Sequence, residues 1–388
     1  APATTAAPAA TAPTADCDTV GYGTVGYVMD GAERGPDSDS DWDTLIYDAA
    51  VAAAEATGTE ALFERNIDDD DIPLFHEAVD RLVGQGACIV FATSANYISG
   101  IAEAAERRPD VRFLNSSGFD SWTDDSPFGV YHGRMYEARF LHGILAAGNS
   151  PSGTLGYVAS VDVPEVYRGL NFFTLGARLV DPDARVLVEW TGDWQARDAE
   201  IAAATSLLAQ GADVVAHHQS GDTVPLTVKA WNADNGTNVR YITYLSVGDA
   251  PYNQNPAYLT GARYNWTPIF TDVIESAADG TYEPAATWQG LADLVVQIDL
   301  PAGTPAEALP EATPAVHALV PIVLATVFSG NIELVFTPPA GYGTPPFPDG
   351  IATSDGRVLT PAELLSDETL GAMDFLVEGV VGDAGPDA

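Results

Sequence analysis

Four aromatic residues stand where a ligand could be held against a ring. Trp42, Tyr97, Trp194 and Trp266 each fall at or beside the carboxyl end of an expected strand, or at an expected hinge. Aromatic faces in such loops hold a flat heteroaromatic ligand by stacking, while nearby polar groups read its edge. Ser94 and Asn96, in FATSANY, supply short hydrogen-bonding side chains. Arg134 and Glu137 open a helix, where they could serve a ligand or pair with each other. Asn171 lies one helical face away from an apolar stripe, as polar lining or as a solvated group. Core packing is the competing reading for each aromatic, and four in matching positions weaken it for the set.

His217, His218, Gln219 and Asp222 follow another expected strand. Adjacent histidines point to opposite faces of an extended chain, so they are poor joint metal ligands, and one lining a cleft is the better reading. Asp37, Asp39, Asp41 and Asp48 fit part of a calcium-loop register. Its sixth position, which needs glycine for a sharp turn, is Trp42. A P-loop needs Gly-Lys-Ser/Thr, and the single lysine, Lys229, sits in TVKAW. Neither Gly-x-Ser-x-Gly nor His-Glu-x-x-His occurs. The sequence therefore predicts a binder without metal or cofactor. A metal-dependent nucleoside-processing enzyme is the alternative from another class, and it could draw only on the acidic loop 37–43.

The element that organises these residues is DVPEVYRGLNFFTLGARLVDP, from Asp162 to Pro182. Asp162 and Glu165 match a capping box, and Pro164 sits in the first turn. Val166, Leu170, Phe173, Ala177 and Val180 form one apolar stripe, and Asp181-Pro182 stops the helix. The preceding TLGYVAS reads as a buried strand. In open parallel sheets, ligands bind outside the carboxyl ends of the strands, where this loop lies. The same alternation of strand and helix runs from Val20 to Arg263, which argues for α/β architecture with doubly wound parallel sheets covered on both faces.

PEVYRGLNFFTLGAR resembles the signature of the basic membrane lipoprotein (BMP) family. Those proteins are extracytoplasmic substrate-binding proteins of ABC importers, several of which take purine nucleosides or nucleobases. FATSANY, YHGRMYEARFLHGILAAG, LLAQGADVVAHH and AMDFLVEGVVG agree in order, so the likeness runs from about Val25 to Gly382. It implies a periplasmic binding protein type I-like fold: two lobes that close on a small ligand about a hinge. The implied divisions are a disordered linker over 1–18, lobe 1 over 19–133 plus 264–292, lobe 2 over 134–263 plus 293–338, and a C-terminal extension over 339–388. Hinge crossings fall near Tyr131–Gly133, Arg263–Tyr264 and Gly290–Leu294. Trp42 matches the family's aromatic position after the first strand, and His218 also matches. Leu245 departs, because many relatives carry an acid there that contacts the ligand. That departure opens a changed nucleobase preference or another small polar ligand. The implied partners are a purine-like small molecule and an ABC permease in the membrane, with a monomer expected. A ligand sensor of the same fold is the alternative.

Composition narrows this further. Sixteen basic residues against 55 acidic ones give a net charge of −39, so nucleic acid, whose phosphates need a basic face, is not an expected partner. Such acidity suits solubility in salty surroundings. Cys17 and Cys88 could form one disulfide, which export would permit, or stay as two thiols. The Ala/Pro/Thr tract before Cys17 reads as a linker left after export processing, and Thr-Ala-Asp is a poor lipobox. Ala315–Ile332 has no Asp, Glu, Lys or Arg. His317, Pro321 and Asn331 interrupt it, so it reads as a buried helix followed by a strand, Ile332–Phe336. The net charge makes a prediction. Screening of self-repulsion should raise the melting temperature from low to molar NaCl, and a flat or falling curve in a thermal-shift series would contradict salt adaptation.

Overall fold

Short apolar runs become parallel strands buried on both faces. IVFA (89–92) and GVYHG (129–133) are buried at every residue. The computed structural model describes residue 17 and residues 21–31, 41–119, 121–338 and 346–385. Most of the expected linker, and Asp37 and Asp39 of the acidic loop, lie outside the described residues.

In chain order the strands are β1 (Thr24–Val28), β2 (Glu60–Glu64), β3 (Ile89–Ala92), β4 (Arg112–Ser116), β5 (Gly129–Gly133), β6 (Thr154–Ala159) and β7 (Arg185–Trp190). They continue as β8 (Val214–His217), β9 (Arg240–Tyr244), β10 (Tyr258–Tyr264), β11 (Ala286–Gln289) and β12 (Val296–Ile298). Short strands β13 (Ile351–Ala352), β14 (Val358–Leu359) and β15 (Val380–Val381) follow. One sheet has the order β11-β5-β4-β3-β1-β2, and the other β12-β10-β9-β8-β6-β7-β15. β12 runs antiparallel to β10, while β7, β6, β8, β9 and β10 pair in parallel. Each sheet thus contains the doubly wound order 2-1-3-4-5, once as β2-β1-β3-β4-β5 and once as β7-β6-β8-β9-β10. The order reverses between β1 and β3, and again between β6 and β8.

The described residues divide into two units. The first lies within Ala1–Pro36, Ile46–His132 and Trp266–Thr287, and the second within Asp37–Leu45, Gly133–Asn265 and Trp288–Ala388. The first turn of the helix Asp41–Thr57 groups with the second unit, which no sequence signal indicated. In the first unit, Phe75, Val79, Leu82, Val90, Ile101 and Phe113 belong to one buried core. Cys17 and Cys88 join that core as a disulfide, settling the choice that the sequence left open.

The second unit is built on two long helices, Met135–Ala147 and Pro164–Val180. The first is buried at every residue, and the second at nearly all of them. Their backbones meet at Gly143 and Gly176. A Cβ on Gly143 would run into the carbonyl oxygen of Phe173, and one on Gly176 into that of Phe140. Only glycine admits this approach.

Three local readings are corrected. The helix of the signature starts at Pro164 with Val163 as its N-cap and no side-chain cap bond, so Asp162 and Glu165 do not form the expected capping box. Glu165 faces tertiary partners instead. Pro314–Phe328 is a helix, but its outer face is open: Ile322 is 55% exposed and Phe328 39%. Among the described residues no helix is long and apolar enough to cross a membrane. Glu333–Phe336 is a helical turn rather than a strand, because Asn331 and Ile332 start an i-to-i+3 hydrogen-bonded turn.

The last part of the chain is integral to the second unit. β15 extends the sheet beside β7, with Val380 opposite Val186. The Asn171 amide donates to the Phe375 carbonyl (2.7 Å) and accepts from the Val377 N–H (3.0 Å), while Arg168 donates to the Leu370 carbonyl. The disulfide closes a span of 71 residues, so reduction should cost about 2–4 kcal/mol of stability by freeing the unfolded chain. Thiol titration of the unreduced protein in denaturant should find no free thiol, and two thiols would contradict the bond.

Candidate functional site

The reversal of strand order between β6 and β8 marks the point in the second unit where a doubly wound sheet binds ligands. The loops after β6, β7, β8 and β9 carry a cluster of aromatic and ionisable groups there. His218, just past β8, is fully buried. Its Nδ1 lies 3.1 Å from the Tyr157 hydroxyl and its Nε2 lies 3.6 Å from Glu165. Burial holds its pKa down to about 4 although Glu165 opposes the shift, so the ring is neutral at pH 7. His217 is lowered to about 3 by burial and by Arg139. Two neutral rings with separate partners act as packing and hydrogen-bonding groups.

Glu165 Oε1 accepts hydrogen bonds from the hydroxyls of Tyr244 (2.8 Å) and Tyr264 (3.0 Å). Burial, reinforced by Glu165, pushes both phenols well above their usual range, so they stay protonated as donors. The Trp42 ring meets Tyr264 edge-on at 5.6 Å, and the Trp194 ring lies 6.0 Å from His218. Arg139 is wholly buried on the helix Met135–Ala147. It donates to the His217 carbonyl (2.8 Å), and its guanidinium sits over the Tyr244 ring at 4.7 Å.

Carboxylates gather at the same edge. Asp41 accepts from the Tyr252 hydroxyl (2.7 Å), and its N–H donates to the Ser220 carbonyl (3.0 Å). Burial raises the Asp41 carboxyl to about 6, Tyr252 opposes this, and Asp222 adds to it. Glu200 is raised to about 7, first by burial and then by Asp222. Acceptors and acids dominate, so the edge suits a ligand rich in N–H and O–H donors.

The structure therefore brings together four of the expected residues: Trp42, Trp194, His218 and Asp222. Others have different work. Tyr97 is a core residue: its hydroxyl donates to the Ile67 carbonyl and its ring stacks on Phe75 at 4.8 Å, because the turn that carries it faces inward. Asn171 holds the C-terminal segment, as described. Arg134 donates to the Trp288 carbonyl (2.8 Å) rather than pairing with Glu137, which accepts from the Leu291 N–H (2.9 Å). In the first unit Ser94 donates to Asp69, and Asn96 to Asp70 (3.4 Å). Trp266 is fully buried against His132 and Tyr131. Among the described residues, the acids close enough to share a cation are Asp68, Asp69 and Asp70, on the surface of the first unit.

Sequence reading did not single out Glu165, Tyr264 or Glu200 for this cluster, and weighed Asp41 only for a calcium loop. The strand-end positions of Tyr244 and Tyr264 were the available signal. Leu245, where the resemblance implies an acid, is buried and takes a left-handed backbone (φ 62°), a conformation that disfavours side chains with a Cβ.

The family of PnrA-like ABC transporter substrate-binding proteins (Bmp) matches residues 33–312. The chain belongs to that family. A purine-binding protein of Brucella abortus is 30% identical over 349 residues, covering 89% of this chain and 90% of its own length. A protein of Haloferax volcanii named as a glucose-binding protein of an ABC transporter is 30% identical over 275 residues, 70% of this chain and 62% of its own. A solute-binding protein of Conexibacter woesei shares the fold at 17% identity, with a TM-score of 0.60 over 78% of this chain and 96% of its own. A transcriptional activator of the comK gene from Bacillus halodurans has a TM-score of 0.63 at 17% identity, over 79% and 99%. The fold is the periplasmic binding protein type I-like fold, and the protein is an ABC transporter substrate-binding protein of the Bmp family.

The raised carboxyls fix a pH prediction. Asp41 and Glu200 hold protons more tightly folded than unfolded, so the folded state binds more protons between their ordinary and raised values. Their contribution to stability is therefore full below about pH 4 and is lost as pH rises through about 6 to 7. Glu200→Gln should flatten the fall in denaturation midpoint between pH 5 and 8, and parallel curves for variant and wild type would contradict the assignment.

Proposed function

We propose that this family member binds a purine nucleoside or nucleobase outside the cytoplasm, as a monomer, and delivers it to an ABC permease, with ligand favouring a closed state of the chain. The observation that carries the reading is the 30% identity to a purine-binding protein across 90% of that relative. The site supports it: Trp42 and Trp194 stand at the ligand-binding edge beside Tyr264 and His218, as stacking faces for a planar base. Polar acceptors lie close enough to read the edge of such a base. No catalytic step is part of the reading. The relative named for glucose favours a second reading, a sugar, which the same aromatic faces and acceptors would hold through ring carbons and hydroxyls.

Calorimetric titration of adenine, adenosine, guanosine, inosine and glucose against the purified protein tests both readings. At least one purine should bind, and Trp42→Ala should weaken it by about ten- to a hundredfold, the loss seen when a base loses an aromatic platform. Binding of glucose alone would replace the purine reading. Unchanged purine affinity in the variant would remove Trp42 from the site.

A further inference from the structure

The helix Pro164–Val180 opens with an acid that does not cap it. Glu165 occupies the first turn and turns its carboxylate towards groups from three neighbouring strands: Tyr244 at the end of β9, Tyr264 at the end of β10, and His218 just past β8. Both phenols converge on Oε1, which fixes the orientation of the group. These three partners are almost wholly buried, whereas the Glu165 side chain keeps 20% of its surface. It is thus the exposed tip of a buried polar cluster, placed where the strand order reverses. The helix N-terminus favours negative charge at this position. Gly169, one turn on, lets the helix lie against His218, because a Cβ there would sit 2.7 Å from Nδ1. The approach that delivers Glu165 to its partners depends on that glycine.

A neutral acceptor could satisfy the two phenol donors, whereas the charge of Glu165 also favours the buried Arg168 cation, and the exposed part of the carboxylate stays within reach of a ligand. A carboxylate offers only acceptance, and accepts more strongly than a neutral oxygen. We propose that Glu165 is the residue through which this site takes its ligand's hydrogen-bond donors, and that it thereby selects uncharged, donor-rich ligands over phosphorylated ones. This rests on the proposed purine-binding function for its choice of ligands, but not for the role of the residue. The donors would be ribose hydroxyls or ring and exocyclic N–H groups. A nucleoside monophosphate would meet repulsion from Glu165 and from Asp41 and Asp222 at the same edge.

The test titrates adenosine, adenine, adenosine 5′-monophosphate and glucose against wild type and Glu165→Gln, with melting temperatures for both. Gln keeps an acceptor for the two tyrosines but withdraws a negative charge acting on the buried Arg168, so the affinities are compared at a temperature where the melting curves show both proteins folded. The variant's affinity for the uncharged ligand that wild type prefers should fall about ten- to a hundredfold, and its preference for adenosine over the monophosphate should shrink. Loss confined to adenosine would assign the donors to the ribose, and equal loss for adenine to the base. Affinities within threefold of wild type and an unchanged preference would overturn the proposal while leaving purine binding in place. If wild type binds glucose but no purine and the variant loses glucose, the purine reading falls and the role of Glu165 stands. Binding by wild type of none of the four, and of neither guanosine nor inosine, would overturn both.

Discussion

The second unit depends on the contact between Gly143 and Gly176. Two helices that meet backbone to backbone bury nearly all of their residues, including Glu137, Arg139, Arg168 and Asn171. A charged side chain on such a helix must find its partners inside the protein, because an unpaired buried charge costs several kcal/mol. Each does so. Arg168 finds the Leu370 carbonyl and the Trp288 ring, Arg139 the His217 carbonyl and the Tyr244 ring, and Glu137 the Leu291 N–H. The close helix contact thus dictates which distant loops are tied down, and those loops border the site.

The two sheets solve the same problem with the same strand order. Each reverses direction once, and at each reversal the helices on either side of the sheet diverge and leave a crevice. In the second unit the crevice is furnished by His218, Glu165 and two tyrosines. In the first, the corresponding loop after β3 is committed to hydrogen bonds between Ser94 or Asn96 and neighbouring aspartates. Equal topology has therefore been given unequal chemistry. The imidazoles are neutral and the phenols protonated, so they surround the buried Arg139 guanidinium without adding charge of their own. Of the acids, Glu165 keeps a fifth of its side-chain surface open, whereas Glu200 is buried.

Much of the fold was legible because it rests on local pattern. The 3.6-residue stripe of Val166 to Val180 and the short apolar strands are properties of single segments. Trp42, Trp194, His218 and Asp222 were singled out by their position after expected strands, and the structure gathers them at one edge, whose use by a ligand remains a proposal. Glu165 was not singled out, since the Asp162–Glu165 spacing matches a capping box and only the folded chain offers the acid two phenols instead. Tyr97 and Asn171 failed for the opposite reason. Tyr97 was expected as a stacking face and Asn171 as polar lining or a solvated group, but a core and a distant segment hold them. The turn at Glu333–Phe336 had strand-like composition, and short apolar runs do not distinguish strand from helix.

The C-terminal strand has a consequence for the order in which the molecule is made. β7 gains its outer neighbour only from β15, and Arg168 and Asn171 are satisfied by carbonyls and N–H groups more than 200 residues further along. A ribosome that has released the whole of β6 to β10 has produced a sheet with both edges open and a signature helix with two buried polar side chains still waiting. Contacts of such sequence separation form late and slowly. The second unit would therefore stay unfinished on the ribosome until the segment around β15 is made.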